Sequence, residues 1–220
     1  KHIKNKVWYE FDGRWKELDD GITLRKHISG KVVDEYCNLS AEFAKKATDY
    51  AEDDPTRDNY IHRSGKLSEV SLKLRNASFK VQIMKECQEI FWEEKFLDKL
   101  DSNTNLIGFE NGIYDLKKFE FREGRPEDFV SMTTGIDYIS YDTIIQDTDS
   151  EYFHHINEIQ AFFKQILPIE GVREYVLTLL ASMLDGSISE ERFNIWTGTG
   201  GNGKSKLIEL FEFAFGEYCC

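Results

Sequence analysis

The chain has 220 residues, 40% of them apolar and 14% aromatic, enough for a packed core in one or two domains. Its 28 basic and 40 acidic side chains leave a net charge of −12, which excludes a chain that wraps nucleic acid over its whole surface, so any such contact is local or lies in other sequence. The longest mostly apolar run, Tyr175–Leu184, is about half of the ~20 residues a membrane span needs. Lys1–Lys6 leads into Trp8-Tyr9-Glu10-Phe11, not an apolar stretch, so neither a membrane partner nor a secretion signal is expected. Cys37, Cys87, Cys219 and Cys220 lack C-x-x-C spacing, as expected of reduced thiols.

In chain order, Val7–Phe11 and Arg14–Leu18 flank Asp12-Gly13, the pair favoured in a type I′ hairpin turn. Trp8 and Trp15 read as a half-buried packing cluster, with a base-stacking platform as the alternative. Ile22–Tyr50 has apolar residues at Leu24, Ile28, Val32, Tyr36, Leu39 and Phe43, three or four apart, which predicts a helix that Gly30 could split. Glu52-Asp53-Asp54-Pro55 is expected to end it. From Arg57 to Lys80 the balance turns basic: Arg57, Arg63, Lys66, Lys73 and Arg75 are candidate contacts for nucleic-acid phosphates, the alternative being a solvated helix face. A second helix is expected over Ser68–Phe91, with Val81, Met84, Ile90 and Phe91 inward.

Residues 104–140 read as β-rich, with a turn at Asn111-Gly112 and short strands at Phe119–Phe121 and Phe129–Met132. Asp115 and Asp128 are expected as turn and cap residues, since no third acid or histidine completes a catalytic group beside them. Asp142–Ser150 is acidic and reads as a linker. Helices are expected over Tyr152–Leu167, stopped by Pro168, and over Gly171–Leu184. His154 and His155 lack H-E-x-x-H spacing, so no metal site is expected there.

The most specific signal is Gly198-Thr199-Gly200-Gly201-Asn202-Gly203-Lys204-Ser205, which matches G-x-x-x-x-G-K-S, a phosphate-binding loop. Its glycines allow backbone N–H groups to close around phosphates. Lys204 would reach the β- and γ-phosphates of ATP as the catalytic cation, and the Ser205 hydroxyl would sit on Mg. Upstream, Phe193–Trp196 is β-prone; downstream, Leu207, Ile208, Leu210, Phe211, Ala214 and Phe215 recur at helical spacing.

Two stretches resemble one family. Asn105–Leu116, with Arg125–Phe129 and Thr133–Tyr138, is similar to the domain before the helicase in primase-helicases of poxviruses, giant DNA viruses and some phages; Phe193–Ser205 resembles motif A of superfamily 3 helicases. The resemblance implies a mixed α+β fold, predominantly helical with small β-hairpins, running into the start of an AAA+ (P-loop) α/β helicase domain. It implies a connecting or collar domain over 1–150, a helical lead-in over 151–190 and the opening of the motor over 191–220. In such proteins a primase domain lies upstream, and a homo-hexamer encircles single-stranded or forked DNA and couples ATP hydrolysis to unwinding. The expected location is the host cytoplasm at a viral replication site, or the bacterial cytoplasm for a phage. The acidic motif B and arginine finger of that family have no room after Ser205, so the chain is expected to be a piece of the motor protein, inactive alone, with its last residues weakly supported. The alternatives are a non-catalytic module for oligomerisation or for docking replication partners, and another P-loop NTPase.

Overall fold

The computed structural model describes residues 7–186, 194–198 and 200–219. Contacts divide the chain into two units, one of residues up to Glu10 with Glu17–Glu94, the other of Phe11–Lys16 with Lys95 onward. The fold is mixed α+β, mostly helical, with small antiparallel sheets. Among the described residues no helix is long and apolar enough to cross a membrane.

The opening hairpin pairs β1 (Trp8–Asp12) with β2 (Arg14–Leu18). Only Gly13 at its tip has positive φ, at +71°. A type I′ turn needs positive φ at both central residues, so the expected turn type is corrected. The tryptophans pack, as expected: Trp15 meets Phe11 and Phe96 edge-on and donates its indole N–H to the Pro126 carbonyl at 2.9 Å. Trp8 joins the core of the first unit.

That core is built by helices. α1 (Ile22–His27) continues through a π turn, Ile28–Val32, into α2 (Val33–Ala47). Gly30 therefore does not split the helix; the π turn absorbs one extra residue there. Ile28, Val33, Leu74 and Met84 are buried together, with Trp8, Leu24, Val32, Tyr36 and Phe79 against them.

The helix from Ile22 is over before Glu52, as expected, with α2 ending at Ala47, and the run Glu52–Pro55 also starts the next helix. Asp54 accepts from the Thr56 amide at 2.7 Å and Pro55 takes the first turn of α3 (Pro55–Arg75), where its missing N–H costs nothing. Ser40 on α2 hydrogen-bonds the Ser64 carbonyl at 2.9 Å and the Ser68 hydroxyl at 2.8 Å, short side chains that let the two backbones approach. The single helix expected over Ser68–Phe91 is two: Asn76 is extended at ψ 129° and its side chain caps α4 (Ala77–Ile90) by accepting from the Ser78 amide at 2.9 Å. Of the four residues expected inward on that stretch, Met84 alone is buried; Val81, Ile90 and Phe91 are exposed.

The second unit begins with α5 (Phe96–Lys99) and a three-stranded antiparallel sheet ordered β3 (Leu106–Phe109), β4 (Gly112–Asp115), β5 (Glu120–Arg122). Phe109 pairs with Gly112, so Glu110 and Asn111 form the loop and Gly112 already belongs to the strand. The expected strand over Phe129–Met132 is absent. The Asp101 carboxylate takes the Ser131 and Met132 amides at 2.8 and 3.2 Å, donors that a β-ladder would have used. Asp115 accepts from the Lys117 and Lys118 amides at 3.0 and 3.1 Å, the turn role expected of it.

The stretch read as a linker holds α6 (Tyr141–Gln146), capped by Ser140 at the Thr143 amide. α7 (Glu151–Ile166) and α8 (Glu170–Ser182) follow, with the break at Pro168 as expected. Val176 and Leu180 of α8 enclose Leu207 of α9 (Lys204–Phe215), which is 2% exposed, with Phe162, Phe163, Ile166, Trp196 and Phe211 around them.

Candidate nucleotide-binding site

The glycine loop runs directly into α9. Gly200, Gly201 and Gly203 have φ of +90°, +68° and +79°, the left-handed region that side-chain-bearing residues avoid. Successive turns of this kind expose backbone N–H groups in a concave nest. The amides that open α9 are the positive end of a helix of 12 residues. A Cβ on Gly203 would lie 2.4 Å from Ile166 Cγ2 of α7, and one on Gly198 would lie 2.3 Å from the Asn202 side chain and 2.6 Å from Lys204 Nζ. The loop is folded on itself at Gly198 and seated on α7 at Gly203.

Lys204 Nζ donates to Asn202 Oδ1 at 2.6 Å, and Ser205 is exposed at the second position of α9. The arrangement fits a nucleoside triphosphate: a glycine cradle that Cβ atoms would fill, a helix N-terminus and one ammonium held by a neutral amide that phosphate oxygens can replace. Thr199 and Phe193 lie outside the described residues. Asn194–Gly198 is irregular, so the strand expected over Phe193–Trp196 is corrected for Asn194–Trp196; no strand pairs with that stretch among the described residues. The residues after the loop are better supported than expected, because Leu207 and Phe211 are packed on α8.

Two features of the loop's surroundings escaped the sequence. Asn202 holds the lysine, a contact no spacing rule announces. Past α9, Glu217 and Tyr218 hydrogen-bond residues 108, 132 and 133, more than eighty residues away in sequence, with no local signal.

The basic run of α3 is in the other unit and partly paired. Arg57 pairs with Glu52 at 3.6 Å, Lys73 pairs with Glu69 at 2.6 Å, and Arg63 lies over the Phe43 ring at 5.9 Å. The Lys73 hydrogen bond holds the Glu69 carboxyl below its ordinary pKa. Lys66 and Arg75 are exposed. His155 is flanked by Glu151 and Glu158 at 3.4 and 3.6 Å, and no cluster of His, Cys, Asp and Glu fit for a metal occurs among the described residues.

Residues 1–168 match the family described as D5 N terminal like. The chain belongs to this family. Among curated relatives of this D5 N-terminal-like chain, "Putative helicase L207/L206" of Acanthamoeba polyphaga mimivirus is 42% identical over 98% of the chain and 22% of its own length. "Putative helicase 121R" of Invertebrate iridescent virus 3 is 35% identical over 66% of the chain and 15% of its length. "Putative primase C962R" of African swine fever virus is 24% identical over 96% of the chain and 22% of its length. The D5 N-terminal-like chain thus spans about a fifth of the length of the curated relatives it matches. The family match stops at residue 168, before the glycine loop, whereas the mimivirus similarity extends over 216 residues.

Proposed function

We propose that this D5 N-terminal-like chain is part of a viral DNA-replication helicase-primase. In this reading residues 1–150 form the connecting or collar region, 151–190 the helical lead-in, and 191–220 the opening of a superfamily 3 hexameric motor that binds ATP and Mg. The helicase and primase names of its relatives support the replication role. The observation that carries the ATP reading is the left-handed glycine loop ending at Lys204 on the N-terminus of a packed helix.

Bound ATP·Mg would supply the phosphoanhydride whose hydrolysis drives unwinding. The chain's own contribution is binding and charge placement. Backbone N–H groups of the loop orient the phosphates, Lys204 neutralises charge on them, and Ser205 offers a hydroxyl to the metal ion. Substituting Lys204→Ala in the intact protein tests this: ATP-dependent unwinding is expected to disappear while the folded structure and single-strand binding persist. Unwinding at the wild-type rate would overturn the reading.

A docking or oligomerisation role for the first unit is favoured by one observation. Ile90, Phe91 and Trp92 are consecutive and 60–72% exposed, and clustered exposed apolar side chains of this kind mark interaction sites. Light scattering of the intact protein is expected to give a hexamer, and a monomer at all concentrations would defeat the collar.

A further inference from the structure

α9 connects two places. Its first residue closes the glycine loop; past its last, Gly216 takes φ +53° and a short turn brings Glu217 and Tyr218 against β3 and the segment beside it. Tyr218 Oη accepts from the Gly108 amide at 2.8 Å and donates to the Met132 carbonyl at 3.1 Å, using both capacities of a hydroxyl. The Glu217 amide donates to the Thr133 carbonyl at 3.1 Å, and its carboxylate accepts from the Thr133 amide at 2.8 Å. Arg14 stands 3.9 Å from the same carboxylate while bonding the Ser131 carbonyl and Glu110.

The fit is close on both sides. A Cβ on Gly216 would lie 2.4 Å from the Thr134 carbonyl oxygen, and one on Gly108 would lie 2.3 Å from that of Met132. The Tyr218 phenol is protonated and a donor at neutral pH as any tyrosine is, and burial pushes its pKa further up. The helix between loop and clasp has 12 residues, a rod of about 18 Å. At its loop end, Lys204 gives one of its three ammonium hydrogens to Asn202, which leaves two for a phosphate.

We propose that Glu217 and Tyr218 are positioning residues that clasp the far end of the nucleotide-loop helix to the β3–β5 sheet, so that nucleotide in the loop is sensed at the β3 edge. This rests on the reading of residues 198–205 as an ATP loop. It makes the connecting region a responder to nucleotide and not a passive spacer. The clasp holds α9 at one end, and a ligand that draws on the helix's first turn therefore loads the hydrogen bonds at the other.

The test uses the intact protein and follows hydrogen exchange of the Gly108 and Thr133 amides with and without ATP·Mg, together with affinity for a fluorescent ATP analogue. ATP is expected to change exchange at both amides in the wild type. Tyr218→Phe should abolish the response at Gly108 while analogue affinity stays within about threefold of wild type. Glu217→Ala, at a side chain more than half exposed, should abolish it at Thr133. A wild type that binds the analogue without a change at either amide, or variants that keep the full response, would overturn the clasp while leaving the ATP loop standing. A wild type that binds no analogue at all would overturn the ATP reading, and the clasp's role with it.

Discussion

Arg122 and Asp128 form a two-pronged ion pair, Nη1 to Oδ2 and Nη2 to Oδ1, both at 2.7 Å, and the same carboxylate accepts from the Arg125 amide at 2.8 Å. Burial alone would raise the Asp128 pKa, but the hydrogen bonds from Arg122 and Arg125 outweigh it and hold the carboxyl below its ordinary value. A depressed folded pKa contributes stability that is complete above the unfolded value of about 4 and is lost as pH falls through the folded value. Asp128→Asn is expected to cost about 2 kcal/mol at pH 7 and to flatten the loss of stability below about pH 4. Denaturant midpoints measured across that range check it; an unchanged acid slope would mean the pair contributes nothing.

Gly30 sits in the π turn with ordinary helical backbone, and a Cβ there would meet nothing within 4 Å; the same holds for Gly65 in α3. Replacing a helical glycine by alanine reduces the freedom of the unfolded chain without strain in the fold. Gly30→Ala and Gly65→Ala should each stabilise by about 0.5–1 kcal/mol. A drop in stability for Gly30→Ala would show that the π turn needs the glycine.

On α3 two of the basic run's charges, Arg57 and Lys73, are paired with Glu52 and Glu69, and Arg63 is seated over the Phe43 ring. If it met DNA, each phosphate contact would add roughly one to the salt slope of binding. Changing Arg63, Lys66, Lys73 and Arg75 together to Glu is expected to lower the slope for single-stranded DNA by at most about two in the intact protein, since Lys73 is held by Glu69 and Arg63 lies over the Phe43 ring. A fall of about four would restore the run as a nucleic-acid surface.

What could be read from the sequence followed local rules. Apolar spacing located the helices from Ile22 and Tyr152 to within a few residues and the helix that carries Leu207–Phe215, and the Asp12-Gly13 and Asn111-Gly112 pairs marked the β1–β2 and β3–β4 hairpins. Boundaries failed where a capping side chain decides: Asp54 and Asn76 start helices inside stretches whose composition reads as an end and a middle. The strand expected at Phe129–Met132 lost its amides to Asp101, a competitor about thirty residues away that no pattern reveals. At the site, the positive-φ glycines and Lys204 were legible because the motif is contiguous. The Asn202 bond was not, because no spacing rule announces it, and the seat on Ile166 and the bonds of Tyr218 were not, because they depend on how α7, α9 and the sheet pack.

The loop's shape and its charge can be separated by two neighbouring substitutions. Gly203 combines φ +79° with a place where a Cβ would press 2.4 Å against Ile166, so Gly203→Ala must strain the backbone, push α9 away from α7, or both. The backbone part alone is worth about 1–2 kcal/mol, and displacement would also loosen Leu207 from Val176 and Leu180. Lys204→Ala removes an ammonium whose described hydrogen-bond partner is the Asn202 side chain, at the exposed rim of the loop, and should leave the unfolding temperature nearly unchanged. Both are expected to abolish binding of a fluorescent ATP analogue, the first by spoiling the nest and the second by removing the cation. Thermal unfolding of the intact protein then distinguishes them: a lower midpoint for Gly203→Ala and an unshifted one for Lys204→Ala. Equal destabilisation by the two would mean that Lys204 is a structural residue of the loop, and the role given to it at the phosphates would fall.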